Sequence, residues 1–180
     1  MGLALADEAY AMGANVTLVT SKTPSTERPY KVIQVESAQE MKNALEQEFP
    51  HCTALFMAAA VADYRPAQTA SQKIKRDQDP EITLVLQRND DILLALSSHK
   101  KPHQKVFGFA AESENLRTYA QEKLERKKLD AIIANDISRS DIGFNVDHNE
   151  VTVFLPEGRQ IDLKRAPKTV IAQELLKQLL

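Results

Sequence analysis

The sequence predicts an α/β fold: a mainly parallel, doubly wound sheet with helices on both faces and an antiparallel hairpin at the C-terminus. Three observations predict it. Strand-like and helix-like runs alternate through most of the chain, the order that builds a parallel sheet covered on both sides. The chain has 180 residues, the size of one domain able to bury one core without disulfide or metal support. Near its end, Val151 to Leu155 and Gln160 to Leu163 flank Pro156-Glu157-Gly158-Arg159, which reads as a hairpin.

Gly2 to Met12 is rich in good helix formers, and Gly13 suits a helix stop. Asn15 to Thr20 reads as a strand. After a Pro- and Ser-containing loop, Ser21 to Pro29, a short strand covers Lys31 to Val35. Ser37-Ala38-Gln39-Glu40 has the spacing of a capping box and opens a helix to about Glu48, which Pro50 stops. Thr53 to Ala58 is a strand, followed by a small-residue stretch and a long polar loop. Ile82 to Leu86 is the next strand, and Asn89 or Asp90 caps a helix through Leu96. Lys105 to Phe109 is a strand, Glu114 to Lys128 a helix and Leu129 to Ala134 a strand. Pro167 fits the first turn of a closing helix to Leu180.

Hydrophobic residues make up 43% and charged residues 27%, the balance of a soluble globular domain. A net charge of −2 gives no general attraction to nucleic acid or membranes. No apolar run approaches the roughly 20 residues that span a bilayer, and the N-terminus lacks a secretory signal. The single cysteine, Cys52, has no internal partner and precedes a strand with no activating neighbour, so it reads as a structural thiol in a reducing, cytoplasmic setting. The histidines show no ligand spacing. There are five glycines, and neither a G-x-G-x-x-G nor a Walker-type loop. A doubly wound domain opens with a strand and a turn, whereas this chain opens with a helix. We therefore expect one domain over residues 1–180 that is truncated at its N-terminus, lacks its first strand and loop, and leaves neighbouring strand edges unpaired.

In such a sheet, ligands bind beyond the C-terminal ends of the strands. Ala58-Ala59-Ala60-Val61-Ala62-Asp63 follows a strand, and its small side chains let a ligand approach the backbone. Asp63 either accepts a hydrogen bond from a ligand hydroxyl, amine or metal-bound water, or caps the loop. Lys73-Ile74-Lys75-Arg76 is either a phosphate clamp on a closing loop or a solvated charge run. In the helix from Glu114 to Lys128, an advance of about 100° per residue puts Lys123 and Lys127 within about 20° of Leu116, inside the apolar stripe. Their ammonium groups either meet an anion or escape to solvent along their stems. Phe109 stacks on a base or packs in the core, and Gly108 permits close packing. Glu112, following them, is either a metal or amine ligand or a solvated carboxylate. Asn89-Asp90-Asp91-Ile92-Leu93 opens a helix whose free N–H groups suit a base or ribose contact. Asn135 and Asp136 end a strand facing the same cleft, unless they only form a turn.

Together these segments resemble the phosphopantothenoylcysteine synthetases, including the synthetase half of bacterial fused enzymes. The resemblance runs over nearly the whole chain. It rests on A-A-V-A-D-Y-R at Ala59 to Arg65, K-I-K at Lys73 to Lys75, G-F-A-A-E at Gly108 to Glu112 and A-N-D at Ala134 to Asp136, with G-A-N-V-T-L-V at Gly13 to Val19 in support. The resemblance implies a Rossmann-like fold and a ligase of coenzyme A biosynthesis. Such an enzyme activates 4'-phosphopantothenate with CTP, or ATP, assisted by Mg2+, and then joins it to cysteine. It implies nucleotide binding by Asp63, Lys73, Asp90, Asp91, Ile92, Leu93, Phe109, Lys123 and Lys127, with Lys73 catalytic on a flap. Ala59 and Ala60 would contact the activated acyl group, and Asn135 the substrate. Metal ligands are not assigned. It also implies a homodimer and an association with a flavin-dependent decarboxylase domain. The chain departs from the family at Asn89-Asp90-Asp91-Ile92, where the family has N-P-D-I. Met1-Gly2 matches the end of the family's S-S-G-K-M-G segment, so the preceding strand and an Asn of its loop are missing. A second reading is therefore a catalytically silent fragment that binds nucleotide or pairs with a partner subunit. A nicotinamide-dependent reductase is disfavoured by the missing glycine fingerprint.

Overall fold

A computed structural model describes residues 1–68, 70, 72, 73, 83–112, 116–136 and 146–180, without the side chains of Glu112 and Asp136. The first helix, α1, runs over Gly2–Ala11. Gly13 ends it at φ +89°, the left-handed conformation glycine adopts without strain, while Ala14 N–H reaches back to the Ala9 carbonyl at 3.0 Å. Strands β1 (Thr17–Thr20) and β2 (Lys31–Gln34) pair in parallel. Helix α2 (Ala38–Glu48) is capped by Ser37, whose Oγ accepts from Glu40 N–H at 3.1 Å. The reciprocal bond of the capping box goes one residue earlier than usual: the Glu40 carboxylate accepts from Glu36 N–H at 2.8 Å. Pro50 does not simply stop the helix. It sits in a 3-10 turn, Phe49–His51, that leads into β3 (Ala54–Met57).

The main sheet has five strands in the order β3, β6 (Lys105–Glu112), β7 (Ala131–Asp136), β8 (His148–Phe154) and β9 (Gln160–Pro167). The first three are parallel; β8 and β9 run antiparallel as the expected hairpin, with Glu157 and Gly158 at positive φ in its turn. Helices α3 (Ile92–Ser98) and α4 (Leu116–Arg126) join α2 on one face, and α1 joins α5 (Lys168–Leu179) on the other. Strand alternation sorts the core. Val106, Ala110, Ile132, Ala134 and Phe154 pack toward α2, α3 and α4. Phe107, Ala131, Ile133, Val151 and Val153 pack toward α1 and α5, against Ile171, Leu175 and Leu176. Each large side chain so buried contributes about 1.5–3 kcal/mol before entropy is charged against it. Among the described residues the β1–β2 pair is not hydrogen-bonded to β3.

Four details differ from expectation. The segment expected as a strand from Ile82 to Leu86 yields β5 at Leu86–Arg88, and Ile82 lies outside the described residues. It pairs antiparallel with β4 (Tyr64–Pro66) in a ribbon separate from the main sheet. Helix α3 is capped by Asp91, neither by Asn89 nor by Asp90. Pro167 is the N-cap of α5 and the last residue of β9, one position before the helix proper. Lastly, β6 runs on to Glu112, β8 starts early at His148 and β9 runs on to Pro167, because neighbouring strands supply hydrogen-bond partners for residues whose own pattern is weak.

Candidate nucleotide site at the end of strand β3

Strand β3 ends with Met57 opposite Gly108 of β6, and β6 continues past it to Glu112. This step leaves a shoulder over the end of β3, where the loop from Ala58 to Asp63 departs. Ala59 and Ala60 are exposed there, so their backbone is open to a ligand. The loop is tied down by Asn89. Its backbone N–H donates to the Asp63 carbonyl at 2.8 Å, its Nδ2 donates to the Ala62 carbonyl at 2.8 Å, and its Oδ1 accepts from Arg65 at 2.6 Å. Asn89 therefore couples the alanine-rich loop directly to the start of α3. Sequence reading considered Asn89 only as a cap; the signal available was its place in a run of three polar residues.

Asp91 has two roles. Its Oδ1 accepts from Leu94 N–H at 3.1 Å, capping α3, and takes the Lys127 ammonium at 3.0 Å. Lys127 does point inward, as its helical position predicts, but a carboxylate already meets it. Lys123 is half-buried on the same helix and also has a polar interaction. Asp90 faces the other way and receives Lys42 of α2 at 2.6 Å. The hydrogen bond from Lys42 holds the Asp90 carboxyl below the usual range, and the same bond pushes the Lys42 ammonium up. Ile92 and Leu93 are core residues, 4% and 9% exposed, so only their backbone is available to a ligand.

Gly108 explains how α3 comes so close to the sheet. A Cβ there would stand 2.9 Å from Leu129 Cδ1 and 3.0 Å from Leu93 Cδ2. Phe109 packs with the α1 and α5 cluster, on the face opposite Lys127. It is placed as a support beneath the strand ends, not as a wall of the Asp91–Lys127 recess. Asn135 is buried on β7, two residues past Ile133 and on the face of α1 and α5. Lys73 is exposed in the polar loop; Ile74, Lys75 and Arg76 of the same motif lie outside the described residues, as do the side chains of Glu112 and Asp136. Cys52 is half-buried, and burial pushes its thiol up, as suits an inert structural cysteine. Among the described residues no three of His, Cys, Asp and Glu are grouped to hold a metal ion, and no helix is long and apolar enough to cross a membrane.

These features can be set beside known proteins. Residues 1–180 match the family described as the DNA/pantothenate metabolism flavoprotein C-terminal domain. The chain is 41% identical to the coenzyme A biosynthesis bifunctional protein CoaBC of Vibrio vulnificus over 182 aligned residues, covering 99% of this chain and 45% of that protein. It thus spans about half the length of the curated relatives it matches. It is similar to the crystal structure of the C-terminal domain of CoaBC, with a TM-score of 0.77 and 35% identity over 98% of this chain and 79% of that one. A Cab2 mutant in complex with phosphopantothenate-cysteine shares the fold at a TM-score of 0.70 and 14% identity, over 97% of this chain and 75% of that one. On the whole-chain family match and the 35% identical C-terminal domain, this chain belongs to the DNA/pantothenate metabolism flavoprotein C-terminal domain family.

Proposed function

We propose that this chain is the phosphopantothenate–cysteine ligase module of coenzyme A biosynthesis. The reading is that CTP, with ATP as the alternative, lies over the end of β3 on the α3 and α4 side. A carboxylate oxygen of 4'-phosphopantothenate attacks the α-phosphorus, the bond to the β-phosphate breaks, and pyrophosphate leaves. The cysteine amine then attacks the acyl carbon of the acyl-cytidylate, CMP leaves and the amide forms. The single observation that supports this most is the Asn89 clasp, which gathers the alanine-rich loop, Asp63, the α3 start and, through Asp91, Lys127 at one strand end.

The protein's part is positioning, charge neutralisation and exclusion of water. Lys127 and Lys123 would face the phosphates, with Asp91 holding Lys127 in place until the nucleotide arrives. The backbone N–H groups of Asp91 to Leu93 would face base or ribose. Lys73 would close over the reacting phosphate from the polar loop. Mg2+ would travel on the triphosphate and keep mostly water and phosphate ligands, which calls for no protein cage; Asp63, exposed beside the loop, suits a metal-bound water. We also propose a homodimer, in a cytoplasmic setting and in association with a flavin-dependent decarboxylase domain. Exposed Tyr64, Leu84, Val85 and Leu86, on and beside the β4–β5 ribbon, support the dimer.

A pyrophosphate-release assay tests this. Release is expected only with nucleotide and 4'-phosphopantothenate together, and cysteine should accelerate turnover. Lys73→Gln should lower turnover more than nucleotide affinity; equal loss of both removes the flap role. The separation of β1–β2 from β3 favours one second reading, a chain that binds nucleotide without turnover. Binding without pyrophosphate release would select it.

A further inference from the structure

Three consecutive residues before α3 pull in three directions. Asn89 clasps the alanine-rich loop and takes Arg65 at 2.6 Å. Asp91 caps α3 and takes Lys127 of α4 at 3.0 Å. Between them, Asp90 turns to α2, where the Lys42 ammonium meets its Oδ2 at 2.6 Å. In the ligase reading the first two contacts reach groups that face the nucleotide. The third reaches a helix that faces none, and Lys42 belongs to none of the motifs that the sequence carries.

Lys42 is placed as an anchor. Helix α2 buries Met41, Ala44 and Leu45 in the same core that takes Ile92 and Leu93 of α3. Ser37 fixes its start, with Oγ accepting from Glu40 N–H. Lys42 follows buried Met41 and is itself half-buried. Glu46, one turn on, lies 3.8 Å from the ammonium, so the shorter contact is the one that crosses to Asp90. Position 90 is also where the chain departs from N-P-D-I. A proline fixes its own φ and restricts the residue before it. An aspartate does neither, and restraint of the main chain between Asn89 and Asp91 falls to side chains.

The charges add a second consequence. The hydrogen bond from Lys42 does most to hold the Asp90 carboxyl down, and the Arg65 guanidinium acts in the same direction. Arg65 is also the group that donates to Asn89 Oδ1. Without Lys42, Asp90 would compete with Asn89 for Arg65, and the clasp on the alanine-rich loop would slacken.

We propose that Lys42 is a positioning residue for the nucleotide: through Asp90 it sets the main chain from Asn89 to Asp91, and with it the alanine-rich loop and Lys127. It touches no substrate. The inference rests on the ligase reading and adds that α2, at the flank of the site, controls CTP affinity.

Calorimetric titration of the full chain with CTP, paired with amide hydrogen exchange in the absence of nucleotide, tests it. Lys42→Met should weaken CTP binding roughly 2- to 5-fold, the range that an exposed ion pair supports. It should also speed exchange at Asn89 N–H and Leu94 N–H, which the Asp63 carbonyl and Asp91 Oδ1 accept. Lys42→Arg should restore both, because the charge returns at similar reach. In an Asp90→Asn chain, Lys42→Met should change neither any further. Thermal melting should confirm that each variant folds. Unchanged CTP affinity in Lys42→Met overturns the role and leaves the nucleotide site standing. So does an equal loss of affinity in the Asp90→Asn chain, which would show Lys42 acting by another route. Absence of CTP binding by the unaltered chain overturns the nucleotide reading itself, and the role of Lys42 with it.

Discussion

The two faces of the five-stranded sheet handle charge in opposite ways. On the α2, α3 and α4 face, Lys127 meets Asp91 and Lys42 meets Asp90 near the strand ends. Small strand residues, Gly108, Ala110 and Ala134, let those helices close in and bring the matching carboxylates with them. On the α1 and α5 face, larger residues such as Phe107, Ile133 and Val153 fill the space, α5 starts without a capping side chain, and among the described residues Lys22 and Lys168 at that end form no ion pair. The difference teaches that close approach and charge compensation go together. On the proposed reading, a triphosphate on the first face would compete with Asp91 for Lys127.

The largest expected effect comes from forcing the first face apart. Gly108→Val places atoms against Leu93 and Leu129, both in the core, and should cost about 1–3 kcal/mol by urea denaturation. It should also weaken CTP binding by displacing the α3 start. A variant as stable as the parent would show that α3 is not held by this close contact. Next, Asp91→Ala removes both the α3 cap and the partner of Lys127, an expected loss of about 1–2 kcal/mol. Because it also frees a lysine for phosphate, CTP affinity should fall less than stability suggests; a collapse of CTP binding at unchanged stability would instead make Asp91 a direct ligand.

The smallest effect lies on the α1 side. Burial, then the hydrogen bond to Asp7 at 2.6 Å, push the Tyr30 hydroxyl up to about 12. The folded chain holds that proton more tightly than the unfolded chain, where tyrosine titrates near about 10. The stability it contributes is therefore fully present below about pH 10 and is lost as pH rises toward 12. Tyr30→Phe should flatten the alkaline stability slope; an unchanged slope would assign it to another group.

Much of this arrangement can be read from the residues. The alternation of elements, the Ser37 cap, the Gly13 stop and the inward turn of Lys127 all follow from local pattern, because each depends on neighbours within one turn or strand. What escaped depends on distant partners. Asn89, Asp90 and Asp91 are all good caps by type, and the choice falls to Asp91 only because the Ala62 carbonyl and Arg65 occupy Asn89 while Lys42 occupies Asp90. The β4–β5 ribbon escaped because three-residue strands, one ending in Pro66, carry too little pattern of their own. Period-two spacing shows that Phe107 and Phe109 share a face, but only the packing of α1 and α5 reveals which one.

The most direct measurement is a CTP titration of the isotopically labelled chain followed by NMR. The account predicts amide shift changes concentrated in Ala58 to Asp63, Asn89 to Leu93 and the region of Lys123 and Lys127, with the α5 start at Lys168 unmoved. Changes centred instead on Lys22 and Lys168, or none at saturating CTP, would contradict it.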